Sequence, residues 1–389
     1  MSGPLEGLRV IDVSIMAAGP WVGALLGQLG AEVIKIEPPT GDGTRWAEPL
    51  QHGMGTNYLC LNVNKQDIVL DLKKPEDRCA ALDLIATGDV FIQNFRGGVI
   101  DRLGLGYAAV CARNPRIIYC SISGFGEAGP LAQEACADFI MQAYSGFARL
   151  NGALGDELEA FRFTGIIDLS TSIVAMQAVL AALLERESTG AGQKVEVSML
   201  QSALELQYTR VAEVLGSGSS PKPLGSQSPG LVPDRAYAVL DGEVFLTAHT
   251  ETEWRAFCTG IEQRNLAQDP RFETNALRVR NRAALDAIVE PVLAARPMIW
   301  WMRAFERSGV ACSLAQNFEQ LRYHTQVRDN GMIVDVETKG WGTVVVGGLP
   351  WHFSMTPGEV LASPVPGEDT SRVLAELAQL QAENRAASA

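Results

Sequence analysis

The sequence predicts an α/β protein: a large unit built on a parallel sheet with helices on both faces, and a smaller mixed α/β unit. Three observations carry that expectation. The first forty residues read strand, helix, strand. The same alternation continues to about residue 215, where a tract rich in Gly, Ser and Pro interrupts it. Parallel neighbours need a crossover, usually a helix, so repeated strand–helix–strand units build a parallel sheet.

Taken in order, residues 9–13 (RVIDV) form a short apolar strand and Ala18-Gly19-Pro20 then breaks the chain. Pro20 suits the first position of a helix reaching about Gly30, because its missing N–H is one the helix start leaves unpaired anyway. Residues 32–36 give the second strand. Further strands fit at 68–72, 90–93 and 117–121, with helical stretches such as 75–87 between them. Residues 168–187 carry Ile173, Val174, Met176, Val179, Leu180, Leu183 and Leu184, a wide apolar surface at helical spacing. Thr189-Gly190-Ala191-Gly192 closes that helix, 194–198 alternates like a strand, and 199–215 is helical again. The chain is therefore divided as 1–215, a large unit; 216–230, a linker; 231–315, a small unit; and 316–389, a linker and return to the large unit. Within the small unit a strand is expected at 244–248 and helices at 251–259, 282–295 and 299–308. The return segment carries strands at 332–336 and 343–346 and an amphipathic helix at 369–383.

The 389 residues are 47% hydrophobic and 20% charged, ordinary for a soluble globular protein with a sizeable core. A net charge of −13 disfavours nucleic acid as a bulk partner. The seven cysteines show no C-x-x-C pair and the four histidines are dispersed, so reduced thiols, a cytoplasmic setting and no metal site are expected. The N-terminus shows no signal-peptide pattern, and no apolar run is expected to reach the ~18 residues of a membrane span.

Several constellations can carry chemistry. The first turn, Ala17-Ala18-Gly19-Pro20-Trp21-Val22-Gly23, is not G-x-G-x-x-G, and Pro20 removes a donor that a pyrophosphate needs. Its glycines read instead as close helix-to-sheet packing. Asn94-Phe95-Arg96-Gly97-Gly98 and Asp101-Arg102-Leu103-Gly104 follow a strand's carboxyl end, where open α/β sheets bind ligands. Guanidinium groups for phosphate and a ring for stacking suit an adenine-bearing phosphorylated ligand, with Lys73 and Lys74 extending the basic rim; a solvated turn is the alternative. Asp168 reads as the N-cap of the long apolar helix and Asp138 as that of another. Each is a simple cap or a carboxylate held ionised for chemistry.

Taken together these segments resemble family III CoA-transferases, which include the α-methylacyl-CoA racemases. The resemblance spans nearly the whole chain. It rests on Ala18-Gly19-Pro20, residues 29–37 (LGAEVIKIE), Asn94-Phe95-Arg96, residues 122–126 (ISGFG), residues 142–146 (QAYSG), residues 189–193 (TGAGQ), residues 328–332 (RDNGM) and residues 353–357 (FSMTP), in that order.

The resemblance implies a Rossmann-like large domain, a small domain and an interlocked homodimer. It implies coenzyme A and acyl-CoA as substrates with no permanently bound cofactor, and a carboxylic acid acceptor. Asp168 matches the catalytic aspartate, which attacks the acyl-CoA thioester and passes CoA on through an aspartyl-CoA thioester. Leu72, Lys73, Asn94, Phe95, Arg96, Arg102 and Leu103 match the CoA site. Oxyanion donors fall to Ala17, Ala18 and a glycine loop bounded by Gly225 and Gly230, and Asp138 is a second carboxylate. Arg162, Arg235, Tyr237, His249 and Trp254 are candidates for the acyl pocket, and succinyl-CoA is a natural donor to test.

Three departures bear on branch and mechanism. Where the racemases place a histidine, this chain has Ala137, which removes one acid/base group needed to move an α-proton between faces. Ala17 stands where some transferases carry glutamine, and a P-C-G-P turn is replaced by Ala311-Cys312-Ser313-Leu314. Transfer of CoA between carboxylic acids is therefore the first reading. An acyl-CoA racemase, or a non-catalytic subunit paired with a related second subunit, are the alternatives.

Overall fold

Six strands form one all-parallel sheet in the computed structural model, which describes residues 3–153, 155, 159–160, 164–218 and 222–387. They are β1 (Arg9–Asp12), β2 (Glu32–Glu37), β3 (Gln66–Val69), β4 (Val90–Gln93), β5 (Ile118–Ser123) and β6 (Gln193–Ser198). Their order across the sheet is 3-2-1-4-5-6, every neighbouring pair parallel. This is the doubly wound Rossmann order, which reverses direction between β1 and β4 and opens a crevice at their carboxyl ends.

Both faces of the sheet are covered, which is why its central strands are apolar runs rather than alternations. One face packs Val10, Val33, Val90 and Ile118 against helices α1 (Ala18–Gln28) and α5 (Ile166–Thr189). The other packs Ile11, Ile34, Ile68, Phe91 and Tyr119 against α2 (Pro75–Ile85), α3 (Tyr107–Arg113) and the last helix, α11 (Thr370–Ala387). Between α3 and α5 lies the short helix α4 (Asp138–Tyr144), and after β6 come α6 (Met199–Leu206) and α7 (Tyr208–Ser217).

The glycines of α1 are there for contact. A Cβ on Gly19 would stand 2.3 Å from Ser14 Cβ, and one on Gly23 would stand 2.8 Å from Asp12 Oδ2. Pro20 is the third residue of α1 rather than the first, still within the turn whose N–H groups lack helical partners. The helix expected over 199–215 breaks at Gln207, where ψ opens to 10° and the side chain folds back onto the Ala203 carbonyl at 2.8 Å. By length and composition α5 would pass for a membrane-crossing helix, once its Ala, Ser and Thr are counted with the large apolar residues. Its Ala175, Val179 and Leu183 are buried against the sheet, and Ile167 against Met141 and Met199, all within the first unit.

The chain forms two units. The first comprises Met1–Ala148, Ala160–Ser219 and Thr325–Ala389; the second comprises Arg149–Glu159 and Ser220–His324. In the second, β7 (Asp234–Val239), β8 (Gly242–Thr247) and β9 (Ala311–Leu314) make an antiparallel sheet ordered 9-8-7. Helices α8 (Glu251–Gly260), α9 (Arg282–Ala294) and α10 (Met298–Ser308) bury Trp254, Phe257, Trp301 and Phe305 with it. The tetrapeptide that replaces a P-C-G-P turn is thus an edge strand, with Cys312 opposite Leu246.

The return segment carries the antiparallel pair β10 (Ile333–Thr338) and β11 (Gly342–Gly347). Beyond it, Asp369 N–H donates to the Asp67 carbonyl at 3.1 Å and Thr370 Oγ1 accepts from Val69 N–H at 3.0 Å. These bonds tie the exposed edge of β3 to the start of α11, covering an otherwise open edge.

Candidate active site

Helix α5 begins without a capping side chain: its N-cap is Gly165, and Asp168 is the third helical residue rather than the cap the sequence suggests. The unpaired N–H groups of the first turn are met from α4. Asp138 Oδ2 accepts from Ile167 N–H at 2.7 Å and from Asp168 N–H at 3.0 Å, while Gln142 Nε2 donates to Asp138 Oδ1. Asp138 therefore does for α5, across space, what an N-cap residue does within a helix.

This arrangement leaves the Asp168 carboxylate half-buried beside a second carboxylate. A methyl group on Gly165 would lie 3.4 Å from Asp168 Oδ2 and 3.8 Å from Asp138 Oδ2. Among the described residues no donor binds the Asp168 side chain. Burial, and then the negative charge of Asp138, push its acid up to about 7. The neighbouring Cys136 thiol is pushed up to about 11 by burial and by the same carboxylates, so it is neutral at that pH. One turn on, Ser172 Oγ bonds both the Asp168 carbonyl (2.9 Å) and the Ala18 carbonyl (2.7 Å), joining α5 to the start of α1.

Asn94 closes the crevice between β1 and β4. Its Oδ1 accepts Ile15 N–H at 2.9 Å and its Nδ2 donates to Ile15 O at 2.7 Å. The amide offered by sequence as a ligand contact is thus engaged in holding the loop after β1. Two more anchors fix that loop: Lys35 Nζ donates to Ser14 O at 2.8 Å, and Asp42 Oδ2 accepts Met16 N–H at 3.2 Å. So constrained, Met16 keeps a left-handed φ of 67°. Ala17 follows as the N-cap of α1 and Ala18 as its first residue.

The remaining CoA-site candidates occupy the same carboxyl edge. Leu72 and Phe95 pack on the β1–β5 core, Phe95 N–H donating to Gln93 Oε1 at 2.9 Å. Lys73 and Arg96 are exposed, as is Arg102, and Leu103 is half-buried. A Cβ on Gly98 would sit 3.2 Å from Arg102 Nη1. Phe95 and Arg96 line a cavity of about 490 Å³ with Tyr107, Glu127, Gln133 and Lys194. A larger one, about 940 Å³, lies at the opposite edge around Arg9, Glu32 and Gln66, away from the strand ends where such sheets bind ligands.

Gly225 and Gly230 belong to the second unit. Gly225 has φ 58° and its N–H already donates to Gly152 O at 3.0 Å; Gly230 O accepts from Asn275 Nδ2 at 2.8 Å. Of the acyl-pocket candidates, Arg162 lies outside the described residues. Arg235 pairs with Asp286 (3.2 Å) and Glu290 (3.1 Å), and Tyr237 and Trp254 are core residues.

A network that sequence reading passed over lies beneath the crevice. Lys65 Nζ bonds Asp12 Oδ2 (2.9 Å), Asn62 Oδ1 (2.9 Å) and Pro20 O (2.7 Å), all buried. Lys35 reaches Asp42 at 3.2 Å, and Arg45 bonds Glu37 (2.7 Å) and lies 3.3 Å from Asp67 Oδ2. Its signal was present in the sequence: Asp12, Lys35 and Glu37 are charges set inside runs otherwise apolar enough to be buried on both faces.

Residues 5–370 match the model of CoA-transferase family III. The chain belongs to that family. It is 32% identical to human succinyl-CoA:glutarate CoA-transferase over 378 residues, covering 96% of this chain and 86% of that one. It is 33% identical over 393 residues to succinate–glutarate CoA-transferase of Agrobacterium fabrum, covering 97% and 96%. A solved CAIB/BAIF family protein from Brucella suis superposes with a TM-score of 0.88 at 32% identity, covering 97% of this chain and all of that one. The protein is accordingly a CoA-transferase, acting on CoA thioesters, with the α/β architecture of its family.

Proposed function

We propose that this family III CoA-transferase moves CoA from succinyl-CoA to a dicarboxylic acid such as glutarate through a covalent intermediate on Asp168. The observation that carries the reading is the Asp168 carboxylate itself: at the mouth of α5, half-buried, with no donor on its oxygens among the described residues, and basic for a carboxylate. A carboxylate left unsolvated and raised toward neutrality is a better nucleophile than one in water.

The steps balance without water or ATP. An Asp168 oxygen adds to the thioester carbonyl, the C–S bond breaks, and CoA thiolate leaves a mixed anhydride. The thiolate attacks the aspartyl carbonyl, the anhydride C–O bond breaks, and succinate departs from an aspartyl-CoA thioester. The acceptor carboxylate then repeats the sequence in reverse, restoring the Asp168 carboxylate and releasing the new acyl-CoA. Charge develops on carbonyl oxygens in each addition, and the unpaired N–H groups at the start of α1, Ala17 and Ala18, are the donors of the first unit best suited to receive it. CoA is assigned to the β1–β4 crevice, with Leu72, Phe95 and Leu103 against its adenine-bearing end and Lys73, Arg96 and Arg102 for its phosphates.

The working form is proposed to be a homodimer. Ile173 and Leu184 on α5, Leu204 and Leu206 on α6, and Tyr208 and Leu215 on α7 are exposed, Leu184 at 74% and Leu215 at 81%. An apolar surface of that extent fits an interface between copies. The seven free thiols support a reducing, cytoplasmic setting. The activity test is direct: the purified chain alone, given succinyl-CoA and glutarate, yields glutaryl-CoA and succinate in equal amounts. Hydrolysis to free CoA without a new thioester would overturn the transfer.

A further inference from the structure

Asp138 has no step of its own in the transfer, yet its geometry is specific. One oxygen accepts both N–H groups that α5 offers at its second and third positions, and Gln142 holds the other. The second of those N–H groups is that of Asp168 itself. Ser or Asn would serve about equally well as a cap; a carboxylate adds its attraction to the helix dipole and its repulsion toward a second carboxylate. Asp138 is not interchangeable with them in one respect: it is a negative charge fixed against the backbone of the residue that reacts. The groups facing Asp168 from the packed elements are Asp138 on α4 and Cys136 just before it. Neither is cationic, and no cation among the described residues offsets the pair.

We infer that Asp138 is a positioning residue with a second effect: it clamps the first turn of α5, and its charge disfavours a free Asp168 carboxylate relative to an acylated one. This rests on the covalent reading above. Forming the anhydride or the thioester on Asp168 removes that residue's charge while Asp138 keeps both N–H bonds. Like-charge repulsion is then present in the free enzyme and absent in both covalent intermediates. The same repulsion makes Asp168 more basic, so the device promotes attack once the carboxylate is ionised and stabilises what attack produces.

Asp138→Asn tests this in the full chain, because an amide oxygen still accepts both N–H groups while the charge is gone. Enzyme is mixed with succinyl-CoA from about pH 5 to about pH 9, quenched, and weighed intact; succinyl-CoA turnover with glutarate is followed in parallel. In the wild type, adduct formation rises through about pH 7. In Asp138→Asn the midpoint moves down by about one unit and the adduct-to-free ratio at high pH falls about tenfold, the adduct still mapping to Asp168. Asp138→Glu, which keeps the charge, retains the wild-type midpoint. A midpoint in Asp138→Asn equal to the wild type's would overturn the charge effect, and Asp138→Glu failing to restore it would do the same. If the wild type itself forms no adduct, it is the covalent reading that fails. That result is distinct, because it shows before any variant is compared.

Discussion

Asn94 and Ile15 are joined by two hydrogen bonds, 2.9 Å from Ile15 N–H to Oδ1 and 2.7 Å from Nδ2 to Ile15 O, across the point where the strand order reverses. An asparagine that mimics a strand partner in this way sets the width of the crevice between β1 and β4. It also fixes the loop that leads to the start of α1. The crevice proposed for CoA is thus shaped from within by a residue whose neighbours Phe95 and Arg96 line its cavity.

Asn94→Ala leaves a half-buried N–H and C=O of Ile15 unpaired, at about 1–3 kcal/mol. The expected outcome is a raised KM for the acyl-CoA donor with a smaller change in kcat, since the loop shapes binding and not the nucleophile. Steady-state kinetics with varied succinyl-CoA would show it. A fall in kcat at unchanged KM would contradict that division.

Lys65→Met removes the one cation that, among the described residues, bonds buried Asp12 and Asn62. Truncating one partner of a buried pair is expected to destabilise by about 3–5 kcal/mol, because a charge is left unpaired in the interior. Urea unfolding of the variant would report this as a lower midpoint with an unchanged slope.

Asp67 behaves oppositely. Burial, and then the nearby Glu37, push its acid up to about 8, so at neutral pH it is largely a protonated carboxyl. Asp67→Asn, which swaps an O–H donor for an N–H donor, is therefore expected to change stability by less than about 1 kcal/mol despite the residue's complete burial. A loss as large as that of Lys65→Met would show that Asp67 is ionised.

Asp168 links stability to pH. Its folded-state acid, at about 7, lies above the ordinary aspartate value of about 3.9. The folded state thus binds this proton more tightly than the unfolded one. Its contribution is fully present below about pH 4 and is lost as pH rises through about 7, at about 1.4 kcal/mol per unit. Asp168→Asn should accordingly raise Tm by several degrees at pH 8 and by little at pH 4. Thermal unfolding at the two pH values checks it; an equal gain at both would point to packing instead.

Much of the first unit was legible because its signals are local. Apolar strands such as 32–36 and a glycine-spaced α1 report their own environment. The second unit was less so: β7 follows a tract whose Gly, Ser and Pro mask the alternation of Arg235 to Val239, and β9 is an edge strand of four residues with little pattern to read. Asp168 stood out in sequence as a cap or a reactive carboxylate; only the fold shows that the cap arrives from Asp138, 30 residues earlier. Long-range pairings of that kind, like Asn94 with Ile15 or Lys65 with Asp12, are set by topology and leave no spacing in the chain.

Asp168 is proposed to carry the transferred group. Intact-protein mass after incubation with succinyl-CoA, wild type beside Asp168→Ala, tests it most directly. The expected result is an adduct of CoA or succinyl size that maps by peptide digestion to Asp168, disappears on adding glutarate, and is absent from the variant. Turnover of succinyl-CoA and glutarate by an Asp168→Ala chain that retains wild-type activity, or an adduct on another residue, would contradict it.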